Sequence, residues 1–428
     1  MAGRASIIAI LLGLLLQYIV WTRWPALSTI INHGPPYSGL PSAAAFGSSS
    51  VRLKDKVRNC EDVVLLEHTH AAILSCDRGR DGWNTVMGAF AKKRDLVPNG
   101  DLLLYRYDEP SEGDALKKIQ LVGYGGGKDG LEADFHPLGI EYHALSGGLF
   151  VVNHHRRGSR LEIFRLGLEA DPPVARYLRT ITHPLVYSPN SIAAVTKNEL
   201  YVTNDHFFPV GAYPWLSFLE TYLAPPLAGV TYLKLDDLAL ESNSQAEPVL
   251  EAQTAARLPF ANGAVLLNTT TLAVASTSNL AIYLYEIDPR LGADSSSARG
   301  KLLLLRKIPV PFFPDNISVD KRGVLLIAGH PHPGSLNKVK EARRVCMDAL
   351  HGSGEAEAAD CNRVKKSAPS WVSEWTEEAG LRHIYVAHAG FGSSSTAVRD
   401  VDKGMGIITG LYEEGVLVWK EDEGLAAW

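Results

Sequence analysis

Pro314-Asp315-Asn316-Ile317-Ser318-Val319-Asp320 sets an acid and an amide side by side at the head of a short alternating run, Ile317 and Val319 against Ser318 and Asp320. The alternation predicts a half-buried strand. Adjacent residues on a regular strand point to opposite faces, so Asp315 and Asn316 can serve one site only where the backbone kinks, at a strand entrance. Pro314, with no amide to give a ladder, favours such an entrance. An Asp–Asn pair offers hard oxygen ligands that suit calcium better than zinc. Taken alone, its ordinary reading is an Asx turn opening a strand.

Three other stretches shift that reading. Cys60-Glu61-Asp62, Ser188-Pro189-Asn190-Ser191-Ile192 and Phe260-Ala261-Asn262-Gly263 each place a carboxylate or an amide just before an apolar, strand-like run. In a closed ring of sheets, strand entrances converge on the axis, and distant oxygen ligands can then meet on one ion.

With these motifs the chain resembles the serum paraoxonase/arylesterase family, calcium-dependent lactonases built as a six-bladed β-propeller. The resemblance runs from about Asn59 to Gly334 and includes Thr203-Asn204-Asp205-His206-Phe207-Phe208, Val151-Val152-Asn153-His154 and Phe135-His136-Pro137-Leu138-Gly139-Ile140. It implies that Glu61, Asn190, Asn262, Asp315 and Asn316 are the five ligands of a catalytic calcium. It also implies a second, structural calcium on Asp62 and the carbonyl of Ile140, weakened because Ser191 stands where the family has an aspartate. His154 matches one of two family histidines assigned to proton relay. The other is Leu138 here, and His136, two residues earlier, is the nearest substitute.

Two carboxylates only balance the charge of a calcium ion, and three amides add none, so the ion would stay electrophilic. Such an ion suits water attack on a lactone or ester. The missing histidine puts aryl-ester turnover in more doubt than lactone hydrolysis, where a ligand carboxylate serves as an alternative base. Two further readings are a catalytically silent, membrane-tethered propeller that only binds, and a propeller of the gluconolactonase or strictosidine-synthase kind. The expected partners are a small apolar lactone or ester and a lipid surface.

Composition bounds the rest. The 428 residues carry 42 basic and 47 acidic side chains, net −5, which gives no argument for a nucleic-acid surface. Arg4 and the run Ile7–Trp21 predict a segment at residues 1–30 on the border between signal peptide and signal-anchor, with the uncleaved anchor favoured. Either way the main domain is expected in the secretory pathway, on the luminal or outer side of a membrane or secreted. Residues 31–50 read as a linker and 51–428 as the propeller, with 335–380 an exposed, charged insertion.

Many short apolar runs, with Gly, Asn, Asp or Pro between them, predict an all-β fold without fixing a blade number. One segment departs from that rhythm: in Pro214–Leu223, Trp215, Leu216, Leu219, Tyr222 and Leu223 recur at helical spacing. The resemblance makes it a lid over the site and a membrane contact. Counting out from a turn at His68 sets Cys60 opposite Cys76, while Cys346 and Cys361 bracket polar sequence. Four cysteines allow three pairings, and the spacing does not choose among them. Asn268-Thr269-Thr270 is the exposed glycan acceptor expected, whereas Asn316-Ile317-Ser318 should stay bare.

Overall fold

Strands such as Ala71–Cys76, Gly148–Asn153, Pro189–Ala194 and Leu325–His330 are buried along their whole length. Both faces of each must therefore be covered, and sheets packed face to face around a ring supply that cover. The computed structural model describes residues 2–109, 111–125, 133–236, 249–287, 300–350 and 367–422.

Arg58–Leu66, Pro137–His143, Pro189–Ala194, Ala261–Asn268, Phe313–Val319 and Ser394–Asp400 are the inner strands, each packed on the next and the last on the first. From them antiparallel strands run outward, so the architecture is all-β and propeller-like. Hydrogen bonding delimits two five-stranded sheets, two four-stranded sheets and one of eight strands, besides a two-stranded ribbon. It does not divide into the six separate sheets expected, because Met405–Glu414 bonds directly to Arg58–Leu66. Apolar clusters fill the spaces between sheets. Val152 and Leu161, for example, meet Ile192 and Leu200 of the neighbouring sheet, each contributing about 1.5–3 kcal/mol by leaving water.

Every inner strand breaks register at its entrance: at Cys60/Asp62, Pro137/Ile140, Pro189/Ile192, Ala261/Ala264, Pro314/Ile317 and Ser394/Ala397. A bulge re-aims the residues at the break. Proline, which has no N–H for the ladder, stands at three of the six. This is the kink that lets neighbouring side chains face one axis.

Several expectations about the ends and the insertion are corrected. Residues 31–50 are not a slack linker. The N-terminal helix runs Ala2–Asn32, Ala43–Ala44 pairs with Gly380–Ala387, and Ser48–Arg52 pairs with Val416–Lys420. Nor are the described parts of 335–380 an exposed excursion. Pro333–Leu350 is a helix that buries Leu336, Val339, Arg343 and Met347, and Ser370–Thr376 lies inside a sheet. Of the charges that suggested exposure, Lys338 and Glu341 are exposed and Arg343 is buried, while those at 355–360 lie outside the described residues.

Cys60 and Cys76 are disulfide-bonded. Cys346 is also disulfide-bonded, and Cys361 lies outside the described residues. Asn268 is exposed beside its hairpin turn, whereas Asn316 is buried.

Candidate active site

Above the inner strands lies a cavity of about 530 Å³. Its floor comes from the strand entrances: Glu61, Asn190, Asn262 and Asp315 all line it. Asn316, the fifth residue of the set, faces the channel below. It joins the floor by donating from Nδ2 to Glu61 Oε1 at 2.7 Å and to Thr396 Oγ1 at 3.0 Å. Asn262 Nδ2 donates to Thr277 Oγ1 at 3.0 Å, which leaves its oxygen turned the other way.

The oxygens identify what the floor lacks. Glu61 Oε2, Asn190 Oδ1, Asn262 Oδ1 and Asn316 Oδ1 are buried without a hydrogen-bond partner. An unsatisfied buried polar group costs about 1–3 kcal/mol, and four together are rare in a native fold. Burial first, and the charges of Asp62 and Asp315 next, hold the Glu61 carboxyl well above the usual carboxylate range. A hard cation would answer both features, supplying partners to oxygens only and offsetting the crowded negative charge. The residues therefore fit calcium. Among the described residues no cluster of three or more His, Cys, Asp or Glu is set to hold a metal. That agrees with a donor set in which amides outnumber acids.

The second position does not fit in the same way. It lies in a smaller channel of about 210 Å³ on the other side of Asn316, lined by Asp62, Ile140 and Ser191. Asp62 Oδ1 accepts from the Val63 amide at 2.8 Å with Thr396 Oγ1 at 3.1 Å, and Oδ2 accepts from the Ile140 amide at 2.8 Å. Ser191 Oγ accepts from the Ala264 amide at 3.2 Å. The side-chain oxygens are already partnered, and burial instead pushes the Asp62 carboxyl up to about 6. Asp62 and Ile140 are joined here through the Ile140 amide.

Neither histidine expected as a base lines the cavity. His154 is buried, with Nε2–H donating to the Pro189 carbonyl at 2.8 Å and Nδ1 2.6 Å from Thr85 Oγ1. Burial lowers its pKa, and its contact holds the strand entrance next to Asn190. His136 lies between Asp77, at 3.0 Å, and Asp134, at 3.4 Å. Burial alone would lower its pKa, but the two carboxylates outweigh burial and raise it to about 9. An imidazolium so held is a structural cation.

The cavity instead presents His206 and His330, which the sequence reading passed over. His206 Nδ1 is 2.9 Å from Asp205 Oδ1 and Nε2 is 2.7 Å from Thr221 Oγ1. His330 Nε2 is 2.9 Å from Asp315 Oδ2, and its Nδ1 has no partner. The adjacent Asp205-His206 pair was the available signal, since it stands inside a motif already singled out. Leu138 and Arg80 also line the cavity. Arg80 donates to the Pro137 carbonyl at 2.8 Å, and its charge favours ionised Glu61.

The roof is apolar. The Pro214–Leu223 helix turns Ser217 and Glu220 inward, where Glu220 accepts from the amides of Phe207 and Phe208 at 2.8 and 3.0 Å. Phe218, Tyr222 and Leu223 line the cavity, whereas Trp215 is 79% exposed. The N-terminal helix, the one described helix long and apolar enough to cross a membrane, lies beside it.

The arylesterase family model matches residues 118–343. Serum paraoxonase/arylesterase 2 of Canis lupus familiaris is 39% identical over 109 residues, 25% of this chain and 29% of that protein. Serum paraoxonase/arylesterase 1 of Mus musculus is 31% identical over 205 residues, 47% of this chain and 50% of that protein. The chain thus spans half or less of the length of these curated relatives. Among solved structures, a gluconolactonase from Xanthomonas campestris aligns with a TM-score of 0.47 at 16% identity, covering 90% of this chain and 94% of that one.

Proposed function

The chain belongs to the arylesterase family, and from that premise we propose that it is a calcium-dependent hydrolase of lactones and carboxylic esters. The observation that carries this reading is the set of four buried, partnerless oxygens on the floor of an apolar-walled cavity. Glu61, Asn190, Asn262, Asp315 and Asn316 would hold one calcium. When bound, the ion would supply electrophilic polarisation of a carbonyl and stabilise negative charge on its oxygen.

The residues of the chain do the rest. The apolar roof excludes water from all but the floor and seats the acyl chain. Asp205 orients His206, and the imidazole takes a proton as water oxygen bonds to the acyl carbon. The acyl carbon–oxygen bond then breaks, and the proton returns to the leaving alkoxide. His330, against Asp315, is the alternative acceptor on the same floor. Leu138 presents only carbon to the cavity, so no second base stands there. The reading of six blades divides the eight-stranded sheet where Met405–Glu414 meets Arg58–Leu66, and it is supported by six inner strands with six register breaks. We place the domain in the secretory pathway with the N-terminal helix as its anchor.

The test is a panel of lactones and aryl esters assayed with and without EDTA. Lactone hydrolysis that EDTA abolishes and calcium restores supports the reading. Full activity in protein shown to lack calcium ends it. The position of His136 and His154 outside the cavity favours one second reading, a tethered propeller that binds without turnover, and a calcium-loaded protein inert across the panel would select it.

A further inference from the structure

The N-terminal helix divides at Arg23. Before it, Ile10, Leu11, Leu14, Leu16 and Trp21 are exposed. From it onward the helix lies on the domain, with Arg23 and Ala26 buried, and Ala26 packed on Leu280 and Phe313. The Arg23 guanidinium makes three contacts. Nε donates to the Tyr222 carbonyl at 3.0 Å, Nη1 to Asn279 Oδ1 at 3.1 Å and Nη2 to the Ser278 carbonyl at 2.5 Å. Tyr222 is in the last turn of the roof helix. Ser278 and Asn279 belong to the short 3₁₀ turn Thr277–Asn279, whose Thr277 also holds Asn262. One side chain therefore ties the N-terminal helix, the roof and the floor's flank together. A charge-assisted donor with five N–H groups in a fixed fork suits that task, and lysine would reach fewer of the acceptors.

On both sides of Arg23 the same face supplies cavity wall. Ile19, Arg23, Ala26, Leu27 and Ile30 line the cavity, spaced along one side of the helix. Arginine is expensive in hydrocarbon, and the eighteen residues between Arg4 and Arg23 span about 27 Å, close to the thickness of a bilayer core. The segment that reads as an anchor thus also forms pocket wall from Ile19 to Ile30.

We propose that the N-terminal helix is a working wall of the cavity, latched by Arg23, and that it sets the site's preference for long aliphatic acyl chains. The proposal deepens the hydrolase reading and rests on it for the identity of the ligand. Arg23 is a positioning residue: it touches the wall, and the wall touches the acyl tail.

The experiment compares the calcium-loaded full-length wild type with Arg23→Ala, Arg23→Lys and Leu27→Trp, using p-nitrophenyl acetate and p-nitrophenyl decanoate as substrates. Calorimetric binding of decanoate is measured in parallel. Arg23→Ala should raise KM for the decanoate ester about tenfold or more, the equivalent of roughly two buried methylenes. The decanoate-to-acetate ratio of KM should rise by the same factor, and Arg23→Lys should be intermediate. Leu27→Trp, which leaves the latch intact and fills the wall, should weaken decanoate more than acetate and keeps the test open should Arg23→Ala fail to fold. Equal changes for acetate and decanoate, or no change in either, overturn the proposal while leaving the hydrolase reading in place. If wild type hydrolyses neither ester but binds decanoate in an Arg23-dependent way, the hydrolase reading fails and the wall stands.

Discussion

The two ends of the axial channel are built from the same strand entrances, and they differ in one respect. At the cavity floor, Glu61, Asn190, Asn262 and Asn316 each leave a buried oxygen without a partner. One residue further along two of the same strands, Asp62 and Ser191 have their side-chain oxygens taken up by neighbouring amides. The bulges aim side chains at the axis in both places. Whether a position invites a cation is decided afterwards, by how many backbone donors reach it first. A site for a hard ion is a place where the fold withholds hydrogen bonds.

The comparison breaks most visibly if the floor is emptied. Asp315→Ala and Asn262→Ala should each reduce lactone hydrolysis by about 10³-fold or more, since they remove ligands of the electrophile. Both should also lose calcium on gel filtration, read by elemental analysis. Asp62→Asn, at the other end, should keep hydrolysis and calcium while lowering stability by about 1–3 kcal/mol in chemical denaturation.

Next in size is the base. His206→Gln should lower kcat by about 10²-fold. His154→Gln should cost less than about tenfold, because its imidazole supports the Pro189 carbonyl from outside the cavity. The reverse order would return the role to His154.

Much of the floor was legible in the sequence because it depends on local chemistry. Pro314 and Pro189 announce irregular entrances, and acid or amide types at those entrances announce side-chain oxygens gathered on one axis. The histidines were not legible, because sequence neighbours of a strand end do not say which ring faces a cavity and which is enclosed. His136 is closed in by Asp134, two residues before it, and by Asp77, which comes from a distant part of the chain. The Pro333–Leu350 helix was misread because Lys338 to Arg344 dominate its composition. Leu336, Val339, Arg343 and Met347 nevertheless recur at helical spacing, and that signal was present. Arg23 looked like the flank of an apolar run. Only its three acceptors, from residues 222, 278 and 279, reveal it as a latch.

Charge can be restored to the partnered end to sharpen the contrast. Ser191→Asp adds the carboxylate that position lacks, so the bound calcium should rise from one ion per chain to two, with lactone kcat changed less than about twofold. A count still at one would mean that the amides on Asp62 exclude the ion whatever the charge.

The smallest effect concerns pH. His136, raised to about 9 in the fold from an ordinary 6.5, contributes stability that is fully present below 6.5 and is lost as pH rises through about 9. His136→Gln should therefore destabilise by about 1–3 kcal/mol at pH 6 and by clearly less at pH 10, as read from urea midpoints.

The central claim is tested most directly by calorimetric titration of calcium into EDTA-stripped protein, with lactone hydrolysis followed at each point. One ion per chain, binding in step with recovered activity and abolished by Glu61→Gln, is the predicted result. Two equivalent ions, or hydrolysis already complete before any calcium is added, would contradict it.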